Sequence, residues 1–145
     1  MSNPADLENA CNSILIVEDE PEIRESLKEA LEWEGYTVGT ACNGKEALEK
    51  LSIMPKPCLI LLDLMMPVMN GFEFAAALKH DVVLTAIPIV VLSAFSGQGE
   101  DKIGAKVALK KPVDLDVLFS MVKKYSRDLG STKKLSDDTE VINQL

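Results

Sequence analysis

The chain has 145 residues, 47% of them apolar but only 5% aromatic, and 23 acidic against 15 basic residues give it a formal charge of −8. That length suits a single domain whose core is built from aliphatic side chains. An acidic surface disfavours nucleic acid as a direct partner, no apolar run reaches membrane-spanning length, and no signal-peptide pattern is visible, so a cytoplasmic protein with no membrane partner is expected.

Residues 1–12 lack periodicity and read as a flexible lead-in. Ile14 to Val17 is a short, continuous apolar run, the pattern of a strand buried on both faces. Pro21 suits a first helical turn, and Ile23, Leu27, Ala30 and Leu31 make a helical stripe that stops at Gly35. Tyr36 to Ala41 is a second, more polar strand, fit for a sheet edge, and Asn43-Gly44 turns into a short helix marked by Ala47, Leu48 and Leu51. Cys58 to Leu62 is another fully apolar run, ending on Asp63. Phe74, Ala75 and Leu78 line a third helix, and Ile87 to Leu92 is a buried strand ending on Ser93. The stretch 96–104 carries Gly97 and Gly99, so its helix should be short or absent. Val107 to Leu109 is a brief fifth strand. Pro112 and Asp114 then open a helix with Leu115, Leu118, Phe119 and Val122 at i, i+3, i+4 and i+7. A single folded domain over 13–128 and a polar tail over 129–145 complete the expected organisation.

Strands alternating with helical segments specify an α/β fold with a parallel sheet. Right-handed crossovers make it doubly wound, and the order 2-1-3-4-5 puts the polar second strand at an edge. Ligands of such sheets bind beyond the carboxyl ends of the strands. On that rim the first strand ends in Glu18-Asp19, the third in Asp63 and the fourth in Ser93, with Lys110, Lys111 and Pro112 just past the fifth. Crowded carboxylates repel unless a cation sits among them, and hard oxygen donors suit Mg²⁺. A lysine and a hydroxyl facing the same point suit a phosphoryl group. Phosphoryl transfer needs little more than positioning and charge neutralisation.

Other polar residues are blander. His80 is the only histidine, which removes His-based triads, and it should lie at a solvated helix end. Cys11, Cys42 and Cys58 are widely spaced with no CxxC pair, and read as thiols in a reducing compartment rather than a disulfide frame or zinc site. Met66 and Met69 read as packing, and Lys110 as a surface lysine.

The strings ILIVEDE at 14–20, LILLDLMMPVMNG at 59–71, VLSA at 91–94 and KP at 111–112 resemble those of the response-regulator receiver family, in order and spacing, over about residues 13–127. The resemblance implies a flavodoxin-like receiver fold, here with a shortened fourth helix. It implies that Asp63 accepts a phosphoryl group from a sensor histidine kinase or a histidine phosphotransfer protein. It implies that Asp19, Asp63 and the backbone carbonyl of Met65 bind Mg²⁺, with Glu18 reaching the metal through water. Ser93 and Lys111 would contact phosphoryl oxygens, and the Lys111–Pro112 bond would be cis. Such a protein modifies itself and hydrolyses the product slowly, so it is a switch acting on an unknown downstream protein rather than a turnover enzyme.

Two positions depart from the family pattern. Ala108 stands where an aromatic usually swings inward on phosphorylation, and the segment after Ser93 is about one turn short. A pseudo-receiver that binds a partner without phosphorylation is therefore one rival reading. A phosphatase of the haloacid dehalogenase type is another, but it needs a second Asp where this chain has Met65.

Overall fold

The computed structural model describes residues 11–94 and 103–127. Strands β1 (Ser13–Val17), β2 (Thr37–Ala41), β3 (Leu59–Asp63), β4 (Ile89–Ser93) and β5 (Val107–Lys110) form one parallel sheet in the order 2-1-3-4-5. Helices α1 (Pro21–Trp33), α2 (Gly44–Ile53), α3 (Gly71–Leu78) and α4 (Leu115–Arg127) cover its faces, and a 3₁₀ turn at Leu84–Ala86 precedes β4. The doubly wound plan expected from the alternation is present. The lead-in up to residue 10, most of the segment at 96–104 and the tail from 129 lie outside the described residues, and with them the expectation of a shortened helix there.

Strict alternation along the strands divides the core into two layers. Leu15, Val17, Ile60, Leu62 and Val91 pack with Ala47 and Leu51 of α2 and with Phe74, Ala75 and Leu78 of α3. Ile14, Ile16, Leu59, Leu61, Val90 and Leu92 pack with Leu27 and Leu31 of α1 and with Leu118 and Val122 of α4. A sheet covered on both faces requires apolar side chains at successive positions, which is why these strands read as continuous runs rather than as alternating ones. β2, covered less completely, keeps Thr37 exposed and only Ala41 fully buried.

Local chemistry fixes where the helices begin and end. Pro21 occupies the first turn of α1, and Gly35 follows it at φ 98°, a backbone conformation that costs other residues energy. The Asn43 side chain caps α2 by accepting from the Glu46 amide. Asn70 and Glu73 form a reciprocal capping box on α3, so this helix starts at a fixed distance from β3. Asp114 Oδ1 accepts from the amides of Asp116 (2.9 Å) and Val117 (3.3 Å) at the head of α4.

Two expectations are corrected. The fourth strand begins at Ile89 rather than Ile87, because the 3₁₀ turn reaches Ala86 and Pro88 has no amide to give to the sheet. The larger correction concerns the cysteines. Cys11 and Cys58 form a disulfide with a Cα separation of 5.7 Å, and only Cys42 is a free thiol. Separated by 47 residues, the two are neighbours in space because β2 goes to the edge and leaves β1 beside β3. The thiol-based argument for a reducing compartment falls with that pairing.

Candidate functional site

The carboxyl ends of β1 and β3 deliver three carboxylates to one point. Glu18, Asp19 and Asp63 each offer an oxygen, all within 4.8 Å of one another. Glu18 is completely buried and Asp63 only 5% exposed, whereas Asp19 is half-buried. Charge so crowded and so dry needs compensation, and the loop after β5 supplies it. Lys111 Nζ lies 2.7 Å from Glu18 Oε1, 3.5 Å from Asp63 Oδ1 and 3.9 Å from Glu20 Oε1. The Lys111–Pro112 peptide bond is cis. The Lys111 amide donates to the Ser93 carbonyl at 2.7 Å, which ties the end of β4 to the lysine-bearing loop. Ser93 itself is buried, and the sheet register pairs its neighbour Leu92 with Asp63.

The electrostatics follow from this geometry. The Asp63 carboxyl is raised to about 7, chiefly by burial and next by the Glu18 charge, while Lys111 pulls the other way and shared hydrogen bonds with Asp19 and Glu18 add to the rise. Burial works against the charge of Lys111, but its hydrogen bond to Glu18 and the nearby carboxylates overcome that and hold it above the usual lysine value. One amine therefore serves Glu18, Asp63 and Glu20, and the trio of Glu18, Asp19 and Asp63 keeps an excess of negative charge that reaches solvent through Asp19.

The other residues singled out in the sequence are placed as follows. The Met65 amide donates to Asp63 Oδ1 at 3.3 Å while its side chain is 67% exposed, so only its backbone is turned to the site. Ala108 is exposed on β5 beside Val91. Lys110 and His80 are exposed, Met66 is buried, and Met69 packs against the core layer under α2 and α3.

The chain that carries this site matches known proteins. The family described as "Response regulator receiver domain" matches residues 14–123. The chain belongs to that family. The receiver is 39% identical over 119 residues to the transcriptional regulatory protein CrdR of Helicobacter pylori, covering 79% of this chain and 55% of that protein. It resembles the solved signal receiver domain of a signal transduction histidine kinase from Syntrophus aciditrophicus, at 35% identity and a TM-score of 0.73, covering 84% of this chain and 95% of that one. It also resembles response regulator protein TrrA of Thermotoga maritima, solved in complex with Mg²⁺-BeF, at 38% identity and a TM-score of 0.69, covering 79% and 98%. The chain spans about half the length, or less, of the curated relatives it matches.

Three contributors to the receiver site escape a reading of strand ends. Arg24, in the first turns of α1, donates to the carbonyls of Glu18 (3.0 Å) and Asp19 (3.4 Å) and so clamps the acidic turn through its backbone. Its signal in the sequence is an arginine five residues past Asp19. Glu20 folds its amide back onto Glu18 Oε2 at 3.1 Å. Gly71 lies so close to the backbone after Asp63 that a Cβ there would sit 2.6 Å from the Asp63 carbonyl oxygen and 2.8 Å from Leu64 Cα. Any side chain at that position would push the Asp63 backbone out of place.

Proposed function

We propose that this receiver takes a phosphoryl group from a phosphohistidine on a sensor kinase or phosphotransfer protein onto Asp63, in a reaction that depends on Mg²⁺. The observation that carries the reading is the buried trio Glu18, Asp19 and Asp63 with Lys111 Nζ 3.5 Å from Asp63. An Asp63 oxygen forms the new P–O bond as the P–N bond of the donor breaks, and water later hydrolyses the acyl phosphate. The donor set suits the metal, being all oxygen, with no histidine or thiolate among its members and an excess of negative charge. Asp19, Asp63 and the Met65 carbonyl would hold the ion, with Glu18 behind them and reached through water. When bound, the ion neutralises charge on the transferring group. Lys111 would supply a second positive charge from 3.5 Å away, and Ser93 a hydroxyl at the neighbouring strand end.

The relatives support this reading, since TrrA was solved with Mg²⁺ and a phosphoryl mimic. The phosphatase alternative has no support here, because position 65 holds an apolar, largely exposed side chain in place of a general acid. Several relatives are transcriptional regulators, so the phosphorylated receiver would act through a downstream protein or a further domain. The test is intact mass after incubation with acetyl phosphate. One phosphoryl group should add in Mg²⁺ and none after chelation, and Asp63→Asn should abolish labelling. Equal labelling of that variant would overturn the assignment.

A further inference from the structure

The opposite rim of the sheet carries chemistry that phosphorylation does not use. Cys11 lies two residues before β1, and Cys58 immediately before β3. The backbone around them is already committed to the sheet: the Cys58 amide donates to the Ser13 carbonyl at 2.8 Å, and the Thr37 amide to the Asn12 carbonyl at 2.9 Å. The Cα separation of 5.7 Å, well inside the range a disulfide spans, is thus held by strand pairing as well as by the bond itself. Opening the bond would leave two sulfurs side by side, poised to close again. Both cysteines line a cavity of about 820 Å³ that also borders Lys50, Lys56 and Tyr125. Cys58 is buried at 7% exposure, whereas Cys11 is half-exposed, so a small thiol entering the cavity meets Cys11 first. Positive side chains lining that approach favour an anionic thiolate.

We infer that Cys11 and Cys58 form a reversible redox pair, opened and closed by low-molecular-weight thiols and disulfides through this cavity, and that its state sets the stability of the receiver. In the reducing direction a thiolate attacks Cys11 Sγ, the Cys11–Cys58 bond breaks, and Cys58 leaves as a thiolate that takes up a proton. A second thiol then displaces Cys11 from the mixed disulfide. Two electrons enter the protein, and the small thiol leaves as its own disulfide. The bond closes a loop of 47 residues holding β1, α1, β2 and α2, so opening it returns conformational freedom to the unfolded chain. Asp63 sits at the far end of β3, with the whole strand between it and Cys58.

The experiment equilibrates the full chain, unphosphorylated and without denaturant, in glutathione buffers of graded redox ratio. The chain is then acid-quenched, alkylated and weighed. Oxidised glutathione should leave one alkylatable thiol, Cys42, whose Sγ is hydrogen-bonded to Glu46 at 3.3 Å. Reduced glutathione or millimolar dithiothreitol should expose all three, with circular dichroism unchanged and the melting temperature lower by on the order of 10 °C. Cys11→Ser should melt like the reduced wild type and ignore reductant, while Cys42→Ser should respond as the wild type does. Three reactive thiols in the oxidising buffer would overturn the pair. A bond that resists dithiothreitol until the chain is unfolded would overturn its reversibility, and an unchanged melting temperature on reduction would overturn its role in stability. The wild-type titration decides these points even if a serine variant fails to fold.

Discussion

Replacing Asp63 by asparagine should make the metal-free receiver more stable, although it removes the residue assigned the central role. Asp63 is 5% exposed, and its carboxyl is raised from 3.8 to about 7, first by burial and then by the Glu18 charge. A folded-state value above the unfolded one means that the native state binds more protons between the two. Stability from this group is therefore full below pH 4 and is lost as pH rises through 7. At 1.36 kcal/mol per unit the whole loss is at most about 4 kcal/mol, with the pull of Lys111 already included. Relaxation and water entry reduce this, so about 2 kcal/mol is expected, or several degrees in melting temperature. Asparagine keeps the shape without the charge and can donate to Glu18 or Asp19. The assay is thermal or urea unfolding of both proteins in chelator at pH 5 and pH 8. The variant should exceed the wild type at pH 8, and the gap should shrink by about half or more at pH 5, where folded Asp63 holds its proton although the unfolded chain is already ionised. A variant no more stable than wild type at pH 8, or a gap independent of pH, would refute the reasoning.

Magnesium should reverse that order. Metal ~100-fold above its dissociation constant should stabilise the wild type by about 2.7 kcal/mol, and Asp19→Asn should blunt the response; a melting temperature indifferent to millimolar Mg²⁺ would count against the metal site. Gly71→Ala should cost about 1–3 kcal/mol and slow phosphorylation, because its Cβ would meet backbone at 2.6 and 2.8 Å; denaturant melts and acetyl-phosphate labelling rates check both. Ala108→Tyr should enlarge the change that beryllofluoride and Mg²⁺ induce in amide chemical shifts on β5 and α4, since the exposed alanine offers no ring to reposition; an unchanged response would remove Ala108 from the switch.

How far the sequence reached follows from what each signal depends on. Buried parallel strands must be apolar on both faces, so β1, β3 and β4 stood out as runs, and the polar character of Thr37 to Thr40 placed β2 at the edge. Glu18, Asp19, Asp63, Ser93 and Lys111 were legible because a doubly wound sheet brings its strand ends together whatever their separation in sequence. Contacts that depend on side-chain reach were not legible. Arg24 clamps carbonyls, which leave no trace in residue identity, and the preference of Lys111 for Glu18 is a matter of less than an ångström. The Cys11–Cys58 pair was obscured for a different reason. A separation of 47 residues hides the proximity that the strand order creates by setting the starts of β1 and β3 side by side.

The position of Lys111 explains how three acids can share one pocket with unequal duties. Its amine is closest to Glu18, the most deeply buried of them, so in the resting site the carboxylate that water can least reach has the shortest ion pair. Unpaired at that depth, Glu18 would cost several kcal/mol; paired, it becomes a fixed counter-charge that anchors the lysine. Asp19 and Asp63 are left with less compensation and more access, which suits them to a cation that comes and goes. Arg24 holds the acidic turn by its carbonyls and the Glu20 amide holds the Glu18 carboxylate, so the turn need not relax outward when no cation is present. A second anionic group added at Asp63 would compete with Glu18 for the same amine, 3.5 Å away against 2.7 Å. In the proposed reaction, then, Lys111 is already within reach of the new charge, and a shift of about an ångström transfers its main contact from the resting site to the phosphorylated one.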